Sequence, residues 1–207
     1  MTKKERALKA VMLLKQLYPD AVCSLEADNP LHLLIATRLS AQCTDKRVNV
    51  VTKDLFKKYK TAEDFAKADV DDVANIIRSC GLYKTKAKDI VTMCQQIIAD
   101  FDGQVPDTIE KLTTLAGVGR KTANLIMGDV YHQPAVVCDT HLIRITNRIG
   151  LVSVKDPYKV EMELKKLLPP HESSDFCHRI VLFGRDVCKA QNPKCDQCLL
   201  NEICKNK

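Results

Sequence analysis

The chain has 207 residues, 45% of them hydrophobic and 28% charged, with a formal net charge of +6. Those values describe a folded protein of one large or two small domains and exclude a disordered chain. No run approaches the roughly 18 consecutive apolar residues of a membrane span. The first apolar stretch is broken by Lys9, Lys15 and Gln16, as a signal peptide would not be, so a cytoplasmic protein without membrane contact is expected.

Taken in chain order, almost every segment reads as helix. Ala7–Leu17 carries a first, charged-and-apolar helix. Asn29 caps a helix with Pro30 at its first position and Leu31, Leu34, Ile35 and Leu39 at helical spacing. Thr44-Asp45 opens the next, through Val48, Val51, Leu55 and Phe56. Thr61-x-x-Asp64 has the form of a capping box, and Asp69 precedes a short helix with Val73, Ile76 and Ile77. Gly81 suits a helix C-terminus, and Lys86–Phe101 has an apolar face formed by Ile90, Met93, Cys94, Ile97 and Ile98. Further helices are expected at Thr108–Leu115, Arg120–Tyr131, Thr140–Ile149, Pro157–Leu168 and Ser174–Val187. No segment alternates with period two for long. The expected class is all-α, with about ten helices and short links at 136–138 and 151–154.

Two places carry chemistry. In Leu115-Ala116-Gly117-Val118-Gly119-Arg120-Lys121, two glycines one residue apart permit a tight reversal and leave the backbone bare. The N–H groups of such a turn, followed at once by a helix N-terminus, make an anion site that grips phosphate without reading sequence. A plain helix–helix turn would look similar, but Arg120 and Lys121 follow immediately. A protonated amine cannot attack carbon; the positive helix end, Arg120 next door and partial burial would all favour the free amine of Lys121. Taken alone, Lys121 reads equally well as a counter-charge to phosphate. Asp139, just before a helix bearing Arg144 and Arg148, reads as an N-cap.

Ten cysteines divide into two groups. Cys23, Cys43, Cys80, Cys94, Cys138 and Cys177 are scattered singly among apolar residues, as small buried hydrophobes are. The other four, Cys188-x6-Cys195-x2-Cys198-x5-Cys204, fall in one short polar tail. Four thiolates can hold zinc or an iron–sulfur cluster; structural zinc more often uses two C-x2-C pairs, and only one is present.

The residues at 115–124 and Asp139-Thr140-His141, with Leu39-Ser40-Ala41-Gln42-Cys43-Thr44-Asp45 and Gly81-Leu82-Tyr83, resemble the endonuclease III family of DNA glycosylases with lyase activity. The resemblance runs from about residue 5 to the end and includes the cysteine spacing. It implies that Lys121 attacks C1′ of a damaged nucleotide, forms a Schiff base and cuts the strand 3′ to the lesion by β-elimination. It implies that Asp139 deprotonates the lysine and stabilises the sugar cation. Gln42 and Leu82 would fill the gap left by a flipped nucleotide, an event needed because C1′ is buried in the duplex. Gly117, Val118, Gly119 and Arg120 would hold the DNA backbone, and Cys188, Cys195, Cys198 and Cys204 a structural [4Fe–4S] cluster that sets Lys194, with Lys189, against phosphate. Lys84, Lys86, Lys88, Arg144 and Arg148 would extend that basic surface or simply be solvated.

The implied fold has two helical domains with the DNA groove between them: a six-helix domain at 23–133 with the helix–hairpin–helix, and a cluster domain from 1–22 and 134–207. The implied partner is double-stranded DNA with damaged bases, oxidised pyrimidines first, or abasic sites, bound by a monomer in the cytoplasm, at the nucleoid. Two departures stand out: Ala116 where the hairpin usually has proline, and Cys138 where an aliphatic residue usually precedes the aspartate. Lysine at 121 argues against the adenine-mismatch and thymine-mismatch glycosylases, which lack this nucleophile. A DNA-binding module without catalysis and a redox sensor built on the cluster are the rival readings.

Overall fold

Side-chain capping sets most of the helix starts. In a computed structural model that describes residues 1–206, the chain forms eleven α-helices, with four short 3₁₀ turns and no strand among the described residues. It separates into two units, residues 24–131 and residues 1–23 with 132–207. No helix among the described residues is long and apolar enough to cross a membrane.

The continuous unit holds α2 (Pro30–Leu39), α3 (Asp45–Lys58), α4 (Ala62–Ala66), α5 (Val70–Ile76), α6 (Tyr83–Phe101), α7 (Ile109–Leu112) and α8 (Arg120–Asp129). Asn29, Thr44, Thr61, Asp69 and Thr108 each accept a backbone N–H of the helix they open, and Thr61 with Asp64 completes a capping box. Such caps contribute about 1 kcal/mol each. The long helix α6 is the centre, with α4 and α5 against it and α2 reaching both α6 and α8. Leu34, Leu39, Leu55, Phe65, Ile77, Ile90, Met93 and Ile97 are fully buried there. At about 1.5–3 kcal/mol for each such side chain, this core dominates the stability of the unit.

The other unit joins α1 (Lys3–Leu17) to α9 (Thr140–Arg148), α10 (Pro157–Leu167) and α11 (Ser173–Asp186). Helix α11 packs on both α1 and α9, through Phe176, Ile180 and Phe183, which are at most 1% exposed. Arg179, itself 2% exposed, donates to Glu172 at 2.6 Å and to Asp175 at 2.9 Å, and Lys15 of α1 also bonds Glu172. Such a buried charge is tolerable only because it is paired.

Three elements differ from the sequence reading. Helix α1 starts at Lys3, a turn earlier, because Thr2 and Glu5 form a capping box. Helix α6 starts at Tyr83 rather than Lys86, directly after the left-handed pair Gly81 (φ 67°) and Leu82 (φ 48°). Helix α7 is a single turn, Ile109–Leu112, because the hydroxyls of Thr113 and Thr114 bond back to the carbonyls of Ile109 and Lys111 and the chain then turns.

Candidate functional site

The turn between α7 and α8 is built from below. Leu115 and Val118 point into the core at 3% and 6% exposure, and the Val118 N–H closes the turn on the Leu115 carbonyl at 3.1 Å. Gln96 of α6 accepts the Ala116 N–H at 2.7 Å, a bond that a proline at 116 could not make. Gly117 has φ 72° and lies directly over the ion pair of Arg38 and Asp89, so close that a Cβ there would stand 2.5 Å from Arg38 Nε. Gly119 is the opposite case: it is the N-cap of α8, offers no side chain, and faces open space, with no atom within 4 Å of where a Cβ would be. The first N–H groups of α8 have no helical partner, so the open side of the turn has the donors, the dipole and the room for an anion. Of the residues assigned to the DNA backbone, Val118 is therefore a core side chain that can offer only its backbone.

Lys121 lies in the first turn of α8 and is exposed. The partial burial expected from sequence is absent, because the turn that would cover it is stripped to glycine.

Asp139 follows the buried pair Val136 and Val137 and caps α9. Its two oxygens are used differently: Oδ1 accepts the Leu142 N–H at 2.7 Å, and Oδ2 lies 3.1 Å from His141 Nδ1. The side chain remains 17% exposed, so the cap does not consume the carboxylate. Helix α9 approaches α11 at Gly184, where a Cβ would stand 2.6 Å from the His141 ring. That contact sets the imidazole, and through it the carboxylate.

Gln42 and Leu82 share two unusual properties: both are exposed, Leu82 at 56%, and both have positive φ, 55° and 48°. Left-handed backbone at a non-glycine residue costs on the order of 1–3 kcal/mol and persists only where its surroundings impose it. Here the imposing group is Lys86. Expected on the basic surface, it is fully buried, and its Nζ donates to the carbonyls of Leu39 and Ala41 at 2.7 Å each and of Cys80 at 2.8 Å. One ammonium thus ties together the segments that carry Gln42 and Leu82. Burial pulls its pKa below the usual lysine value.

Cys188, Cys195, Cys198 and Cys204 line a single cavity of about 350 Å³, with Phe183, Ile149 and Leu200 as its apolar wall. They surround a volume rather than a point: among the described residues no three such side chains converge as the ligands of one metal ion would. Burial first, then the neighbouring Cys188, Cys204 and Cys195, pushes the Cys198 thiol up, as four sulfur groups facing one cavity must. Four thiols around a cavity of that size fit a polynuclear iron–sulfur group. Arg144 and Arg148, counted among the surface cations from sequence, are tethers of this loop instead. Arg144 donates to the Cys188 carbonyl at 3.0 Å, and Arg148 to the carbonyls of Lys189 and Ala190 at 2.6 and 2.9 Å and to Cys188 Sγ at 3.4 Å. Lys189 and Lys194 are exposed. The scattered cysteines are not uniformly buried either: Cys80, Cys94 and Cys177 are, whereas Cys23, Cys43 and Cys138 sit in links between helices and are half-buried.

Residues 35–170 match the HhH-GPD superfamily of base excision DNA repair proteins, and residues 188–204 match the iron–sulfur binding domain of endonuclease III. The endonuclease III of Synechocystis sp. is 44% identical over 98% of this chain and 93% of its own length. The chain belongs to the endonuclease III family. A solved endonuclease III in non-covalent complex with DNA superposes with a TM-score of 0.93 at 41% identity, covering 100% of this chain and 97% of that one. An endonuclease III trapped as a covalent intermediate with DNA superposes equally well, at the same identity and coverage. As a member of that family, the chain is a base-excision repair enzyme, a DNA glycosylase and abasic-site lyase, with DNA as its partner and a [4Fe–4S] cluster as its cofactor. Sequence reasoning missed three supports of this machinery. They are the Arg38–Asp89 pair under the hairpin and Lys86 beneath Gln42 and Leu82, whose partners lie far along the chain, and His141 on Asp139, which stands in the Asp139-Thr140-His141 motif but was given no role of its own.

Proposed function

We propose that Lys121 is the nucleophile of this enzyme and that Asp139 is its acid–base partner. The supporting observation is the stripped turn: phosphate held by the N–H groups of Gly117 and Gly119 would set the first turn of α8, and with it the Lys121 amine, against the sugar beside that phosphate. Lys121 Nζ attacks C1′ as the glycosidic bond breaks and the base leaves with a proton. The C1′–O4′ bond then opens as O4′ takes a proton, the imine that results acidifies the 2′ hydrogen, and loss of that hydrogen expels the 3′ phosphate oxygen. Asp139, with an oxygen not consumed by the cap, takes the proton from the Lys121 ammonium before it attacks and favours the sugar cation.

Gln42 and Leu82 fill the space vacated by the flipped nucleotide, Arg120 and the hairpin N–H groups hold the backbone, and Lys194 contacts phosphate. Cys188, Cys195, Cys198 and Cys204 hold the cluster, which supplies a rigid frame for the loop and no electrons to the reaction. The preferred substrates are oxidised pyrimidines, acted on by the monomer. Excision and strand cleavage over a panel of lesion-bearing duplexes test this reading, with Lys121→Gln as the control. The parent should release oxidised pyrimidines fastest, and the variant should bind the same duplexes and cleave none. Strand cleavage by the variant would remove Lys121 from the mechanism.

A further inference from the structure

The segments joined by Lys86 carry more than Gln42 and Leu82. Cys43 follows Gln42 in one of them, and Cys80 precedes Gly81 and Leu82 in the other. The Ala41 and Cys80 carbonyls accept from the same ammonium, at 2.7 and 2.8 Å, which brings the two segments together, and Cys43 is the side-chain neighbour of the Cys80 thiol. Neither cysteine belongs to the cluster loop, and neither is used in base excision. Their surroundings differ. Cys80 is 1% exposed, and burial first, then Cys43, pushes its thiol up to about 11, so it stays protonated near neutral pH. Cys43 is partly exposed and is the one an oxidant can reach.

We propose that Cys43 and Cys80 are a reversible redox pair whose disulfide clamps the segments bearing Gln42 and Leu82 and so couples DNA repair to peroxide. This rests on the reading that Gln42 and Leu82 contact DNA. The Cys43 sulfur attacks hydrogen peroxide, the O–O bond breaks, and Cys43 becomes a sulfenic acid with release of water. The Cys80 sulfur then attacks the Cys43 sulfur, and the S–O bond breaks as hydroxide leaves with the Cys80 proton as a second water. Two thiols lose two electrons to one peroxide, and a dithiol reductant reverses the change. A disulfide fixes the two sulfurs at about 2.05 Å and so constrains the spacing of the two segments. Gln42 adjoins Cys43, and Leu82 lies two residues beyond Cys80, both in backbone that is already left-handed, so a clamp on the cysteines acts on both. A shift of about 1 Å in groups that position a substrate can cost on the order of 10²-fold in rate.

The test uses the holoenzyme, with peroxide kept below the dose that bleaches the cluster's visible absorbance. After denaturing alkylation and digestion, mass spectrometry should find the Cys43 and Cys80 peptides joined and lighter by two hydrogens. Excision should fall in parallel, and dithiothreitol should restore both. Cys43→Ser and Cys80→Ser should each abolish the cross-link and keep excision through the same treatment; the half-buried Cys43 serves if Cys80→Ser folds poorly. Oxidised protein in which both thiols still alkylate overturns the pair, and a disulfide that leaves excision unchanged overturns the coupling. If Gln42→Ala and Leu82→Ala both keep parent affinity for damaged DNA, it is the DNA-contact reading that fails, whatever the disulfide does.

Discussion

The turn at residues 115–119 and the loop at residues 188–204 both carry residues proposed to meet DNA, yet different forces give them their shapes. The turn is fixed from beneath by protein: Leu115 and Val118 in the core, Gln96 on the Ala116 N–H, and the Arg38–Asp89 pair under Gly117. The loop has little beneath it. Among its described residues only Leu200 and Ile203 are buried, its regular structure is two three-residue turns, and arginines from α9 hold it by carbonyls. A site shaped by packing is complete before its ligand arrives. A site shaped by four thiols around a cavity depends on what fills the cavity.

Cys198→Ser should therefore have the widest effect. The protein should lose its brown colour and its iron, about four per chain in the parent, and its Tm should fall by ~10 °C or more, as expected for loss of a metal site worth over about 4 kcal/mol. Circular dichroism and iron analysis check this. If the variant keeps the parent Tm, the loop holds itself and the contrast drawn above is wrong.

Asp139→Asn separates chemistry from capping in the same unit. Asn caps about as well as Asp, so stability and cluster content should stay at parent values. Excision should fall by about 10²–10⁴-fold, the usual loss with a general base. Cleavage at a pre-formed abasic site should suffer less, because no base has to be expelled. Excision at the parent rate would leave Asp139 a cap only.

The two hairpin glycines make the sharpest internal contrast. Gly117→Ala forces a side chain into left-handed backbone and onto Arg38, and should lower stability by ~1–3 kcal/mol in urea unfolding. Gly119→Ala meets nothing in the protein and should stay within about 1 kcal/mol of the parent. It should nonetheless lose about tenfold in affinity for an abasic-site duplex, because the methyl group occupies the partner's side of the turn. Equal stability losses at the two positions would break the assignment of one glycine to the fold and the other to DNA. The smallest effect is expected at Lys194→Ala, which should reduce the slope of log affinity against log salt by about one unit. An unchanged slope would make Lys194 a solvated residue.

Local rules made most of the architecture readable. Asn29-Pro30, Thr44, Thr61-x-x-Asp64, Asp69 and Asp139 open helices where capping chemistry says they should. The hairpin glycines and the cysteine spacing were readable for the same reason, since each requirement is confined to a few neighbouring residues. Lys86 was not. In sequence it is one lysine among several near α6; its burial is decided by carbonyls 47 and 45 residues away, which no local pattern reports. The same holds for Arg144 and Arg148, whose acceptors lie about 40 residues on in the cysteine loop, and for Arg38, whose partner Asp89 is 51 residues away. Lys121 shows the converse: its position was legible and its exposure was not, because the turn before it is too bare to cover it.

The central claim, that the Lys121 amine forms the covalent bond to DNA, is tested most directly by locating that bond. The parent enzyme is incubated with an oxidised-pyrimidine duplex and borohydride, the adduct is digested, and the DNA-bearing peptide is sequenced by mass spectrometry. The account predicts a single modified residue, Lys121, and no adduct in Lys121→Gln. An adduct on any other amine of the parent, or one that survives in Lys121→Gln, would contradict it.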